Sequence, residues 1–145
     1  MKPTKTPAPY GMIEEVVSWT KNYLNIDLVP VEWFSAGAEW EFGDVPDFVH
    51  AVVYVFFVDG KVQYVGETIK LKSRIKNHRK QMTKQHKPHY RGRYGVPPFA
   101  DTRARVQLLV GEVPEVELGG AIFRPRKSAE EALIAKFDPP GNPRR

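Results

Sequence analysis

The chain of 145 residues contains no cysteine. That excludes disulfides and thiolate metal sites, and it fits a reducing cytoplasm, the compartment the sequence predicts. Also lacking is an apolar run long enough to span a membrane. The longest such run, residues 49–58, has the length of a buried strand. Residues 1–9 hold three prolines and no apolar core, so they do not read as a signal peptide and are expected to form a disordered arm. Acid is scarce in one region only. Residues 70–105 carry 12 Lys/Arg (Lys70, Lys72, Arg74, Lys76, Arg79, Lys80, Lys84, Lys87, Arg91, Arg93, Arg103 and Arg105) against the single acid Asp101, a balance of +11. The remaining residues, with 10 basic and 16 acidic groups, sum to −6, so the overall +5 hides an acidic body with one basic band. A solvated lysine-rich helix would intersperse acids. The band predicts a nucleic-acid surface with salt-dependent binding.

The length suits one compact domain with a real core. Residues 12–24 read as an amphipathic helix, with Ile13, Val16, Val17, Thr20 and Leu24 at helical spacing. Residues 26–48 hold Trp33 and Trp40 among breakers and fit short strands or an irregular wrap. The run 49–58 is expected to be a central strand covered on both faces, and Asp59-Gly60 a hairpin turn into a return strand over 61–66. A helix is predicted from Leu71 to about Gln85, a basic loop over 86–102 and a third strand over 103–110. Residues 111–125 read as irregular, with a short strand at 121–123, and a final helix runs from Ser128 to near Phe137.

Arg74 and His78 stand four apart on the predicted helix and share a face. An arginine fork can hold a phosphate, and a neutral histidine can relay a proton. Tyr54 and Tyr64 lie on the two hairpin strands, and their relation depends on the turn. A two-residue Asp59-Gly60 turn pairs Val58 with Lys61 and leaves the tyrosines on opposite faces. A three-residue loop, with Gly60 left-handed as a bulge, sets Tyr54 across from Tyr64. Sequence permits both, and a shared tyrosine site is expected to require the second. In the last helix Ser128 and Glu131 fit a capping box, which leaves Glu130 on the side of Ile134 and Phe137. A carboxylate there is costly unless paired or bound to a cation, and one carboxylate suits a hydrated Mg²⁺. His86 and His89 lack the further ligands of a zinc site and read as loop residues touching nucleic acid, where Tyr90 and Tyr94 could stack on bases.

Taken in order, these residues resemble the GIY-YIG nuclease superfamily. Val52-Val53-Tyr54 looks like the first motif, and Tyr64-Val65-Gly66 the second. Leu71, Arg74 and His78 look like its arginine–histidine helix, Glu130-x-x-Leu133-Ile134 its metal-binding helix, and Asn142 its closing asparagine. The resemblance covers residues 49–142. It implies an α+β fold: a small three-stranded antiparallel β-sheet flanked by helices, with a core over 49–145 and an N-terminal extension over 10–48 packed on it. It implies hydrolysis of phosphodiester bonds by a metal-dependent endonuclease. Glu130 would bind one Mg²⁺ or Mn²⁺, Arg74 would engage the scissile phosphate, and Tyr54, Tyr64 and His78 would share the activation of water. Gly60, Gly66, Ser128, Glu131 and Asn142 are expected to be structural. The expected partner is nucleic acid, DNA before RNA, with a homodimer as one route to sequence specificity. The alternatives are an inactive nucleic-acid-binding protein on this fold and a basic RNA-binding protein. Two departures stand out: Val52 occupies a usual glycine position, and Glu67 follows the second motif, where it could repel substrate or pair with Lys70.

Overall fold

The computed structural model describes residues 12–31, 33–36, 39–42, 51–76 and 106–142. Its centre is the apolar run, which forms β4 (Val52–Val58), hydrogen-bonded on one side to β5 (Lys61–Thr68) and on the other to β6 (Val106–Glu112). β1 (Val29–Val31) pairs with the far side of β6, giving an antiparallel sheet in the order β1-β6-β4-β5. The expected three strands are therefore extended by a fourth. Pro30 lies in β1, an edge strand, where its missing N–H costs no inner ladder bond. The third core strand runs to Glu112 rather than ending at Val110, and residues 103–105 lie outside the described residues.

Both faces of β4 are buried, as its near-continuous apolar sequence requires. On one face Val52, Tyr54 and Phe56 pack with Tyr64, Leu108, Val110 and the helix over 71–76 (α2), through Leu71 and Ile75. On the other, Val53, Val55 and Phe57 meet Val62, Val65 and two helices. The first is α1 (Ile13–Trp19), which continues as a π-helical turn (Thr20–Leu24) and ends at left-handed Asn25. The predicted apolar stripe faces inward: Val16 and Thr20 are buried, and the Thr20 hydroxyl donates to the Val16 carbonyl at 2.6 Å. α1 is tied to the hairpin turn by the Ile13 amide donating to the Gly60 carbonyl at 3.1 Å. The second is α3 (Pro125–Phe137), which buries Ala129, Leu133 and Phe137.

The tryptophan-bearing segment forms a separate hairpin, β2 (Trp33–Ala36) with β3 (Glu39–Phe42). A second hairpin, β7 (Val116–Leu118) with β8 (Ala121–Phe123), occupies much of the stretch read as irregular. α3 begins three residues before the sequence reading placed it. Pro125 takes the first helical turn, where its fixed φ is preorganised and no N–H is needed. Ser128 and Glu131 consequently form no capping box: Ser128 sits inside the helix, Glu131 is exposed, and the N-cap is Arg124 without a side-chain cap. The C-terminal end falls where expected, at left-handed Asp138, whose amide donates to the Ile134 carbonyl at 2.8 Å, before Pro139 and Pro140.

Candidate active site

The hairpin joins its two tyrosines by a route that differs from both expected ones. The turn has two residues, with Asp59 at φ 51° and Gly60 at φ 83°, and Val58 pairs with Lys61. That primed geometry matches the twist of the strands. An irregularity then falls within β5: Phe57 pairs with Val62 but Phe56 with Tyr64, leaving Gln63 without a partner on β4. The extra residue reverses the alternation of β5 from that point. Tyr64 therefore lies on the Tyr54 face, with ring centroids 6.2 Å apart and planes inclined by 37°. The three-residue loop at Gly60 is not formed; the bulge at Gln63 does the same work.

Gly66 pairs directly with Tyr54 across the ladder. A Cβ on Gly66 would lie inside van der Waals contact of the Tyr54 Cζ and hydroxyl oxygen. The tyrosine ring thus lies across the backbone of β5, the edge strand, and carries its hydroxyl toward the sheet edge. Only a residue without a side chain permits this approach.

Around that hydroxyl the structure gathers three more of the expected residues. Arg74, on α2, donates a hydrogen bond to the Tyr54 oxygen, and Tyr64 and Glu130 are within electrostatic reach. Glu130 is partly buried on α3, beside buried Ala129 and Leu133. Burial holds the Tyr54 pKa well above its ordinary value, with Tyr64 and Glu130 adding to the rise and Arg74 opposing it. At neutral pH Tyr54 therefore keeps its proton. Among the described residues no three His, Cys, Asp or Glu side chains converge as a metal cluster. Among the described residues the oxygen donors here are one partly buried carboxylate and phenolic oxygens, a set that fits a hard cation retaining most of its waters.

Of the basic band, Lys70, Lys72 and Lys76 are exposed at the start of α2. His78, Arg79, Lys80, Lys84, Lys87, Arg91, Arg93, Arg103 and Arg105 lie outside the described residues, as do His86, His89, Tyr90, Tyr94 and the arm 1–9. Glu67 does not pair with Lys70. Its Oε2 accepts from Arg126 Nε at 2.7 Å, and both side chains are 17% exposed. The Lys70 amide instead donates to the Thr68 hydroxyl at 3.0 Å, closing the turn between β5 and α2. Sequence reading missed Arg126. The signal was its place four residues before Glu130, visible once the helix is started at Pro125.

Residues 50–103 match the family model of the GIY-YIG catalytic domain. Among solved structures, a mutant of bacteriophage T4 EndoII is similar at TM-score 0.57 and 13% identity, over 88% of this chain and 98% of that one. The restriction endonuclease HPY188I in complex with product DNA is similar at TM-score 0.47 and 14% identity, over 94% of this chain and 90% of that one. No curated protein sequence matches the chain. The family match falls on the hairpin and helix that bring Tyr54, Tyr64 and Arg74 together, and through that segment the chain is similar to the GIY-YIG catalytic domain, which supports an endonuclease of the GIY-YIG type.

Proposed function

We propose that this endonuclease is divalent-metal-dependent and hydrolyses phosphodiester bonds in DNA, with Glu130 as the cation ligand and Arg74 as the phosphate contact. One observation carries the reading: a buried tyrosine hydroxyl is met by an arginine on one helix while a carboxylate on another helix stands within electrostatic reach. Packing alone would not require that set of polar groups around one buried oxygen.

Glu130 would hold Mg²⁺ or Mn²⁺ with waters and phosphate oxygens completing the shell. Such an ion supplies positive charge to the phosphate and lowers the pKa of bound water. Arg74 would offer guanidinium N–H groups to the scissile phosphate and offset charge that builds up there. Tyr54 rests protonated, so its hydroxyl first orients a water by hydrogen bonding. Accepting a proton demands added positive charge beside it, as Arg74 already provides in part. Tyr64 and His78 share the remaining proton work. The exposed Lys70, Lys72 and Lys76 begin a band whose charge favours a polyanion, and DNA is the substrate we assign to it.

The test is incubation of supercoiled plasmid with the protein, with Mg²⁺ or with EDTA, beside Glu130→Ala and Arg74→Ala. Metal-dependent nicking that disappears in both variants is the expected result. Salt-sensitive binding without nicking by the parent protein would overturn the reading, and competition between DNA and RNA would then identify the ligand.

A further inference from the structure

We infer that the Glu67–Arg126 ion pair is a positioning device for Glu130, fastening the first turn of α3 to the edge strand and so setting where the carboxylate stands relative to Tyr54. This rests on the reading of Glu130 as the cation ligand.

The first turn of α3 has little else to hold it. None of Pro125, Arg126, Lys127 and Ser128 is buried, and the first buried residue is Ala129. The N-cap Arg124 makes no side-chain cap, and no acidic residue stands in the first turn to answer the helix dipole. Arg124 pairs with Glu115 at 3.3 Å, but these side chains are 62% and 51% exposed, and such pairs hold weakly. The Arg126–Glu67 pair differs: it is short, mostly shielded from water, and leaves a partly shielded charge uncompensated if either partner is removed. Its two ends are also the relevant ones. Arg126 is one helical turn before Glu130, on the same face. Glu67 directly follows Gly66, the residue over which the Tyr54 ring lies. The pair thus links the backbone under the tyrosine to the helix that carries the carboxylate.

The experiment uses the full chain, as parent, Glu67→Gln, Arg126→Gln, Arg126→Lys and the charge-swapped Glu67→Arg/Arg126→Glu. Mn²⁺ binding is measured by electron paramagnetic resonance, and plasmid nicking as a function of Mn²⁺ and of plasmid concentration. Partners that orient a metal ligand typically matter by about 10- to 100-fold in affinity or rate. Each Gln variant is expected to weaken Mn²⁺ binding by about tenfold or more, with KM for plasmid little changed. The swap should recover most of the loss, and Arg126→Lys should fall between. Circular dichroism melting identifies a variant that merely unfolds, and the swap and the lysine variant then decide. If Arg126→Gln instead raises KM and flattens the salt dependence while Mn²⁺ affinity holds, Arg126 is a phosphate contact and the inference fails alone. Unchanged Mn²⁺ affinity and nicking in both Gln variants would also defeat it alone. A parent protein that neither binds Mn²⁺ nor nicks plasmid would remove both this inference and the proposed function.

Discussion

The side-chain amide of Asn142 closes both main-chain hydrogen bonds of Val65: its Oδ1 accepts from the Val65 amide at 2.8 Å, and its Nδ2 donates to the Val65 carbonyl at 2.8 Å. Beside it the Gly141 amide donates to the Gln63 carbonyl at 2.7 Å. β5 is an edge strand, so a side chain stands in for the next strand at the place where the ladder to β4 is irregular. Each such bond contributes on the order of 1 kcal/mol net. Asn142→Ala should therefore lower unfolding free energy by about 1–3 kcal/mol in urea titrations. Asn142→Asp should do no better, because it loses the donor and sets a carboxylate against a carbonyl. An aspartate variant as stable as the parent would remove the donor role given to Nδ2.

Gly66→Ala should displace Tyr54. The added methyl meets the Tyr54 ring and hydroxyl oxygen, and that ring is fully buried with no room to retreat. Overpacking of this kind costs typically 1–3 kcal/mol. Metal-dependent nicking should fall by more than the loss of folded protein explains, because Tyr54 leaves Arg74. Thermal melting and single-turnover cleavage, measured together at a temperature where the variant remains folded, separate the two effects.

Much of the fold was legible because its causes are local. The apolar run demanded a strand covered on both faces, and Asp59-Gly60 demanded a tight turn. What was illegible came from afar. Nothing in Gln63 itself signals a bulge, and its neighbour Val65 is held by a residue 77 positions away. Ser128 and Glu131 satisfied a local capping rule, but Pro125 claimed the first turn of the helix instead. The same displacement hid Arg126, whose pairing with Glu67 depends on a strand 59 residues back. Tyr54, Tyr64, Arg74 and Glu130 were nameable from spacing. Their convergence was not, since it depends on a reversal of strand alternation and on a ring passing over a glycine.

The bulge makes its own prediction. Deleting Gln63 should restore a regular ladder in which Val62 and Tyr64 become consecutive, pairing with Phe57 and Phe56 as they do now. Tyr64 would stay on the Tyr54 face. The loss would be the carbonyl that accepts from Gly141, a modest destabilisation on the order of 1 kcal/mol. Nicking activity should survive. Inserting an alanine after Gln63 should turn Tyr64 to the α3 side and abolish it. Equal activity in the two variants would show that the face of Tyr64 does not matter.

Tyr54 should govern stability at high pH. Its folded pKa is raised, chiefly by burial, above the ordinary 10.0 of an unfolded tyrosine. Between those two values the unfolded chain has released the proton and the folded chain still holds it. The folded state then binds more protons, so stability falls as pH rises. The stabilisation is complete below the unfolded value and is lost as pH climbs through the folded one. One such group contributes a slope of up to about 1.4 kcal/mol per pH unit. Tyr54→Phe cannot ionise, while lysines and the remaining tyrosines titrate as before. Urea titrations from pH 8 to pH 11 should therefore show the phenylalanine variant losing less stability than the parent above about pH 10. Parallel profiles for the two proteins would mean that Tyr54 reaches solvent in the folded chain, and the buried hydrogen bond from Arg74 would lose its basis.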